Sequence, residues 1–399
     1  MITLRYFSAA ILYFAVAVTL GVVLSIDPYL IGFRTKAAHA HAALLGWVTL
    51  TIMGAMYQIV PTILGGQLHS QRLAGYQFWL MNLGIVGLFL SFLAGAKTVV
   101  LFGVITALAG YLFVYIMYRT VERKKLNLPM KFFAAVLVYF VIVVTLGIIL
   151  SINPYPISGG KVITAHAHAA LLGWVTLTIM GAMYQMLPML ALKELYRPAL
   201  AEKQFWLINL GAAGLFLSFL AGKGTTLFGI ITALASYLFV YIMYRTLRTE
   251  QKMKQPLDIS VKYFIAALVY FSIVLALGIV LSIDPYLLPG RAITAHVHLA
   301  LIGWVSITIV GAMYHLVPML VWMERYGEKL GKEPVPAIKE LYSERAANVQ
   351  FWLLNLGLLG FFSGLLALQR TAMIISGTVI ALGAYYFAYE MYKILYSKR

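Results

Sequence analysis

The sequence contains no cysteine. That absence excludes disulfides, thiolate-held iron–sulfur clusters and the C-x-x-C-H attachment of a c-type haem. Charge is also scarce: 11% of the 399 residues are Asp, Glu, Lys or Arg, against 62% hydrophobic, with mean hydropathy +0.89. A soluble domain of this length needs far more charge to dress its surface. Acidic residues number only 13, all at helix ends or in loops, with Glu390 nearest to a buried position. No acidic proton relay therefore crosses the apolar spans. Histidine is the one strong soft-metal ligand left in numbers.

What the chain does have is long apolar runs, enough to cross a hydrocarbon core of about 30 Å many times. Twelve spans are read, near 3–25, 37–63, 74–95, 98–119, 131–152, 163–192, 203–222, 224–246, 261–282, 293–323, 346–367 and 371–394. The first is followed by Asp27-Pro28-Tyr29 with no small-residue cleavage site, so it reads as a spanning helix, not a cleaved leader. A formal charge of +17 invites a nucleic-acid partner, but nearly all the cations sit in short loops between apolar runs. That is a topology signal, and the partner it implies is the lipid bilayer. Arg34, Lys36, Lys97, Lys161, Lys223, Arg291 and Arg370 fall on one side, and the other 23 of the 30 Lys and Arg fall with both termini. By the positive-inside rule both termini face the cytoplasm of a prokaryotic-type membrane. The basic runs Arg119 to Lys131 and Arg245 to Lys262 read as topology anchors.

Internal repetition organises the whole chain. Ser25-Ile26-Asp27-Pro28-Tyr29 recurs as Ser151-Ile152-Asn153-Pro154-Tyr155 and Ser282-Ile283-Asp284-Pro285-Tyr286. Segment 37–58 matches 164–185 at 21 of 22 positions, and 164–185 matches 294–315 at 15 of 22. The fold expected is an all-α integral membrane protein of 12 transmembrane helices. They form three parallel four-helix repeats, at 1–127, 128–256 and 257–399, able to close around a pseudo-threefold axis. Each repeat has an even number of spans, so all three share one orientation. The one long connection, Glu324 to Arg345, reads as a cytoplasmic loop or short surface helix.

Six of the eight histidines form three pairs, His39/His41, His166/His168 and His296/His298, each near the start of its repeat's second helix. An imidazole inside an apolar helix is costly without a partner and marks a functional site by default. Residues two apart on an α-helix point about 200° apart. The two rings of a pair therefore leave opposite flanks and reach different neighbours, which suits a flat cofactor standing on each side. Gly46, Gly173 and Gly303 follow the first histidine by seven residues, and Gly54, Gly181 and Gly311 come eight later. Such rows admit either a second helix or a porphyrin face. His69 reads as a loop residue, and His315 as interfacial, with Gln58 and Gln185 at its equivalent positions.

The tenth span carries His296-Val297-His298, Gly303-Trp304-Val305 and Gly311-Ala312-Met313-Tyr314-His315-Leu316-Val317-Pro318. This run resembles helix ten of the haem–copper oxidase catalytic subunit, and is most similar to the C-type oxidases and the nitric oxide reductase large subunit. The resemblance implies twelve helices in three pseudo-symmetric arcs, with His296 holding one haem and His298 another. It also implies that His39, on helix two, lies opposite His298. Extended by the repeats, it gives three bis-histidine slots: His298 with His39, His168 with His296, and His41 with His166. Arg370, Lys97 and Lys223, with Lys36, Lys161 and Arg291, are placed to meet haem propionates. One departure stands out. The seventh span, Gln204 to Gly222, lacks the histidines that supply the family's copper site.

The function these readings support is a membrane b-type cytochrome holding one to three non-covalent haems b, without copper. It would exchange electrons with a quinol or a cytochrome. An oxygen or nitric oxide reductase-like enzyme with one five-coordinate haem is the alternative, and a cofactor-free transporter or scaffold the third.

Overall fold

The computed structural model describes residues 1–27, 34–122, 124–153, 160–249, 257–284, 286–288 and 291–396. The turns at Pro28, Pro154 and Pro285 and the basic residues Arg123, Lys252 and Lys254 lie outside the described residues. Lipid offers backbone groups no hydrogen bonds, so a spanning segment must satisfy its own, and these segments do so as helices. Among the described residues there is no strand, and 12 helices are long and apolar enough to span a membrane. They are α1 Ile2–Ile26, α2 Thr35–Ile63, α3 Gln71–Ala94, α4 Val99–Val121, α5 Leu128–Ile152, α6 Gly160–Leu190, α7 Pro198–Ala221, α8 Thr225–Leu247, α9 Ile259–Ile283, α10 Ala292–Lys329, α11 Glu344–Leu366 and α12 Arg370–Tyr396. Each expected span is present within a few residues. The long connection is part helix: α10 runs on into it, and a 3-10 turn at Ile338–Leu341 follows. The Trp322 indole fastens this segment by donating to the Pro336 carbonyl at 2.6 Å.

Packing divides the chain into two compact units. One comprises Met1–Gly54, Leu257–Phe271 and Pro289–Arg399; the other comprises Ala55–Pro256 and Ser272–Leu288. Two of these divisions fall inside α2 and α9, and the one between Pro256 and Leu257 coincides with a repeat boundary. In the first unit α12 packs against both α1 and α11. In the second, α3 pairs with α4, α7 with α8, and α5 lies against α4 and α6.

The same local packing recurs in both units. Trp47 stacks on Phe14 at 4.3 Å, Trp304 on Phe271 at 4.2 Å, and in the second unit Trp174 on Phe140 at 4.2 Å. A buried tyrosine on each second helix donates to a fully buried glutamine: Tyr314 to Gln350 at 2.7 Å, Tyr57 to Gln77 at 3.2 Å and Tyr184 to Gln204 at 3.1 Å. Lipid tails are as apolar as leucine, so burial between helices brings little hydrophobic gain. Close packing and satisfied polar groups carry the stability instead.

Each second helix also contains a stretch that sequence periodicity does not reveal. Ala42–Thr49, Ala169–Thr176 and Leu299–Ser306 are π-helical, eight residues each. The Leu50, Leu177 and Ile307 N–H groups reach back five residues, to Leu45, Leu172 and Ile302. The wider turn changes the register. Gly46, Gly173 and Gly303 receive tyrosine rings from the first helix of their repeats, Tyr13, Tyr139 and Tyr270. Gly54, Gly181 and Gly311 likewise admit Tyr6, Phe132 and Tyr263. The glycine rows are helix-packing surfaces.

A Cβ on Gly303 would stand 2.8 Å from the Tyr270 ring, whereas one on Gly75 would meet nothing within 4 Å. Gly303→Ala is therefore expected to destabilise the protein by about 1–3 kcal/mol through overpacking. Gly75→Ala should be neutral or slightly stabilising, since alanine is the better helix former. Thermal unfolding followed by tryptophan fluorescence measures both; equal midpoints would remove the close-packing role assigned to Gly303.

Candidate functional site

The three histidine pairs sit at one structural junction. In every case the second histidine, His41, His168 or His298, is the last α-helical residue, and the π-helical stretch begins at the next position. At the junction the Ala42 N–H is shared between the Ala38 and His39 carbonyls, and the Leu299 N–H between those of Ala295 and His296. π-helical insertions cluster at functional sites because they re-aim side chains without breaking the helix.

The second histidines share one hydrogen bond. The Nδ1 atoms of His41, His168 and His298 lie 2.8, 2.9 and 2.8 Å from the carbonyls of Ala37, Thr164 and Thr294, one turn back. A carbonyl can only accept, so each Nδ1 carries the proton and the Nε2 lone pair is the ring's acceptor face. This is the arrangement that prepares an imidazole to bind a metal: the backbone fixes both tautomer and ring orientation.

Of the first histidines, His39 is held from the first helix of its repeat. His39 Nδ1 donates to the Ala17 carbonyl on α1 at 3.0 Å, which again leaves Nε2 as the acceptor. The His39 ring rests against Gly21 and the His166 ring against Gly147, where an added Cβ would come within 3.3 and 3.7 Å of Cε1. Neither glycine figured among the expected site residues. A signal for them exists, because a glycine recurs at this register in all three first helices, at Gly21, Gly147 and Gly278. Aromatic rings complete two of the settings: Phe219 packs on His168 at 4.3 Å between centroids, and Phe361 on His298 at 5.1 Å.

His39 and His298 both belong to the first unit. These are the two histidines that the resemblance sets opposite each other. His41 and His296 belong to this unit as well, while His166 and His168 belong to the second. The pairings of His168 with His296 and of His41 with His166 rest on repeat symmetry.

The expected cations are exposed. Lys97 and Lys223 stand in the α3–α4 and α7–α8 turns, Lys36 and Arg291 near the starts of α2 and α10, and Lys161 near the start of α6 beside Gly222. Arg370 opens α12 and donates from Nη2 to the Ile26 carbonyl, closing the end of α1. Its guanidinium keeps further N–H donors beyond that one. Among the described residues no group of three or more His, Cys, Asp or Glu is gathered. The site chemistry is thus that of imidazoles in an apolar setting with cations at the rim.

The family described as "Cytochrome C and Quinol oxidase polypeptide I" matches the chain in three successive segments, residues 1–101, 96–224 and 221–396. An uncharacterised protein of Aquifex aeolicus (strain VF5) is 26% identical over 302 residues, which cover 75% of each chain. Among solved structures, a haem–copper terminal oxidase dimer determined by cryo-EM superposes with a TM-score of 0.76. That match has 13% identity and covers 100% of this chain and 84% of the other.

The space beside Gly21 carries a prediction. Gly21→Leu would push the His39 ring from its place, and should lower the visible absorption of any histidine-ligated haem while Gly21→Ala leaves most of it. Gly147→Leu should do the same to the His166 setting. Absorption per chain after purification reads both, and unchanged spectra in both leucine variants would remove the glycines from the site.

Proposed function

Because the chain belongs to the cytochrome c and quinol oxidase polypeptide I family, we propose that it is a membrane b-type cytochrome carrying electrons through histidine-ligated haems. The family implies haem, and the donor set fits it: imidazoles with protonated Nδ1 and an Nε2 lone pair, in an apolar interior. A haem held between two such rings supplies a one-electron iron centre with no open coordination position. The residues that would hold it first are His39 and His298. His168 with His296, and His41 with His166, would hold two more by the repeat. Arg370, Lys97 and Lys223, with Lys36, Lys161 and Arg291, would neutralise propionates at the rim.

What the chain itself contributes is positioning. The Ala17 and Thr294 carbonyls hold the His39 and His298 rings so that neither swings away when the ligand is absent. Phe219 on His168 and Phe361 on His298 add apolar walls, and such surroundings tune a bound iron's potential. The span expected at helix seven, α7, offers neither histidine nor tyrosine for a three-nitrogen copper site, so oxygen reduction of the usual kind is not part of this proposal. The electron partner is a quinol or a cytochrome, and both termini face the cytoplasm. The observation that carries the reading is the recurring Nδ1-to-carbonyl bond, a tautomer lock repeated in each four-helix set.

A pyridine haemochrome assay on the purified protein tests it. Haem b at one to three per chain is expected, and the reduced protein should change its spectrum little under carbon monoxide. His39→Ala with His298→Ala should remove one haem per chain without loss of folded protein. A colourless wild-type protein would refute the proposal, and a large carbon monoxide shift would move it to the five-coordinate, reductase-like alternative.

A further inference from the structure

Repeat three departs from the other two in the last half of its fourth helix. On α12, Tyr386 and Glu390 occupy the positions of Leu112 and Ile116 on α4 and of Leu238 and Ile242 on α8. Ile116 and Ile242 are fully buried, and Glu390 is almost so, at 4% exposure. A carboxylate in a place shaped for isoleucine costs several kcal/mol unless it is partnered. Lys393 provides the partner, its Nζ 2.6 Å from Glu390 Oε1.

The second departure is the connection before α11. It covers 330–343 here, against 64–70 and 191–197 in the other repeats. The extra chain lays Glu340, Tyr342 and Ser343 beside the end of α12. With Arg325, Glu390, Lys393, Leu341 and Ile394 they enclose a cavity of about 150 Å³. Arg325 donates from Nη2 to the Leu395 carbonyl at 2.7 Å. Burial, helped by Asp258 and Glu344, pushes the Tyr342 hydroxyl up to about 12, so it stays a neutral donor at physiological pH.

Depth indicates what reaches this cavity. Glu390 lies twenty residues along α12 from Arg370, about 30 Å at 1.5 Å per residue, which is the thickness of the hydrocarbon core. The cavity therefore stands at headgroup level. Tyr389, Tyr392 and Tyr396 on the same helix are 57%, 61% and 57% exposed, the pattern of an interfacial aromatic belt.

We propose that this cavity binds the headgroup of a zwitterionic phospholipid of the phosphoethanolamine type. The phosphate lies against Arg325 and Lys393, and the primary ammonium against Glu340 and Glu390. A guanidinium matches phosphate oxygens in pairs, and an ammonium offers three donors to carboxylates. Two cations and two carboxylates leave the wall without net charge, which favours a zwitterion over an anionic headgroup. A choline headgroup has no N–H to give and would leave the carboxylates unmatched. The volume, about five waters at roughly 30 Å³ each, suits such a group. The cavity lies on the opposite half of α10 from its histidines, so this inference stands apart from the haem proposal.

The full-length protein, purified in detergent and stripped of lipid, is offered phosphatidylethanolamine, phosphatidylglycerol or phosphatidylcholine and examined by native mass spectrometry. Retention of one phosphatidylethanolamine per chain is expected, with the other two lost. Arg325→Gln and Glu340→Gln should each weaken retention about tenfold or more. Glu390→Ile, which restores the residue of the other repeats and so preserves folding, should do likewise. Equal retention of all three lipids would mean adventitious annular lipid only and overturn the proposal. Undiminished retention in Glu340→Gln and Glu390→Ile would overturn it too. Thermal stabilisation by soluble phosphoethanolamine equal to that by the lipid would reassign the cavity to a cytosolic ligand.

Discussion

The structure depends on one constraint, that a polar group between spanning helices must find its hydrogen bonds within the protein. The bond from a histidine Nδ1 to the carbonyl one turn back meets half of that demand for an imidazole. It also decides the other half. With the proton committed to Nδ1, Nε2 can only accept, and in an apolar interior an acceptor of that kind is best matched by a metal or a donor. A single local bond thereby fixes both the tautomer and the orientation of an expensive residue. The three tyrosine hydroxyls answer the same constraint by donating to Gln77, Gln204 and Gln350.

The π-helical stretches make this local device compatible with tight packing. An α-helix that continued unaltered past His298 would carry Gly303 round to nearly the face of His296. The wider turn instead presents Gly303 to Tyr270, while Trp304 stacks on Phe271. Trp47 shows how the turn itself is used: its indole donates to Ser306 at 3.0 Å, and Ser306 donates to the Leu301 carbonyl five residues back at 2.8 Å. The hydroxyl thus serves both the tryptophan and a carbonyl whose helical geometry has been widened. Ligand placement and core packing are solved by the same eight residues.

Much of this was legible in the sequence. Hydropathy located the spans, since α2, α6 and α10 each begin within three residues of the expected positions. Repetition marked the histidine pairs, because three copies of one costly feature at one position argue for function where a single copy would not. Three things were not legible. The π-helical register could not be read because residue spacing was converted to angle with an α-helical period. The tyrosine rings that pack on Gly46, Gly173 and Gly303 have no signal in that period either. Gly21 and Gly147 were passed over because their role lies on a neighbouring helix, and only tertiary contact links them to His39 and His166.

Repetition also shows where to look for what is peculiar to this chain. Features present in all three repeats, such as the tautomer lock on the second histidine, answer demands that every repeat shares. Glu390 is different, because the two sibling positions show that isoleucine suffices for the fold there. A buried carboxylate whose removal would cost the fold nothing calls for a reason outside stability. Its partner Lys393 is no new arrival, since Arg119 and Arg245 supply a cation at the same position in the other repeats. The acid and the segment carrying Glu340 and Tyr342 are additional, and both border the same cavity. The internal copies thus act as a built-in control: they separate residues that the architecture requires from residues that one repeat has added to it.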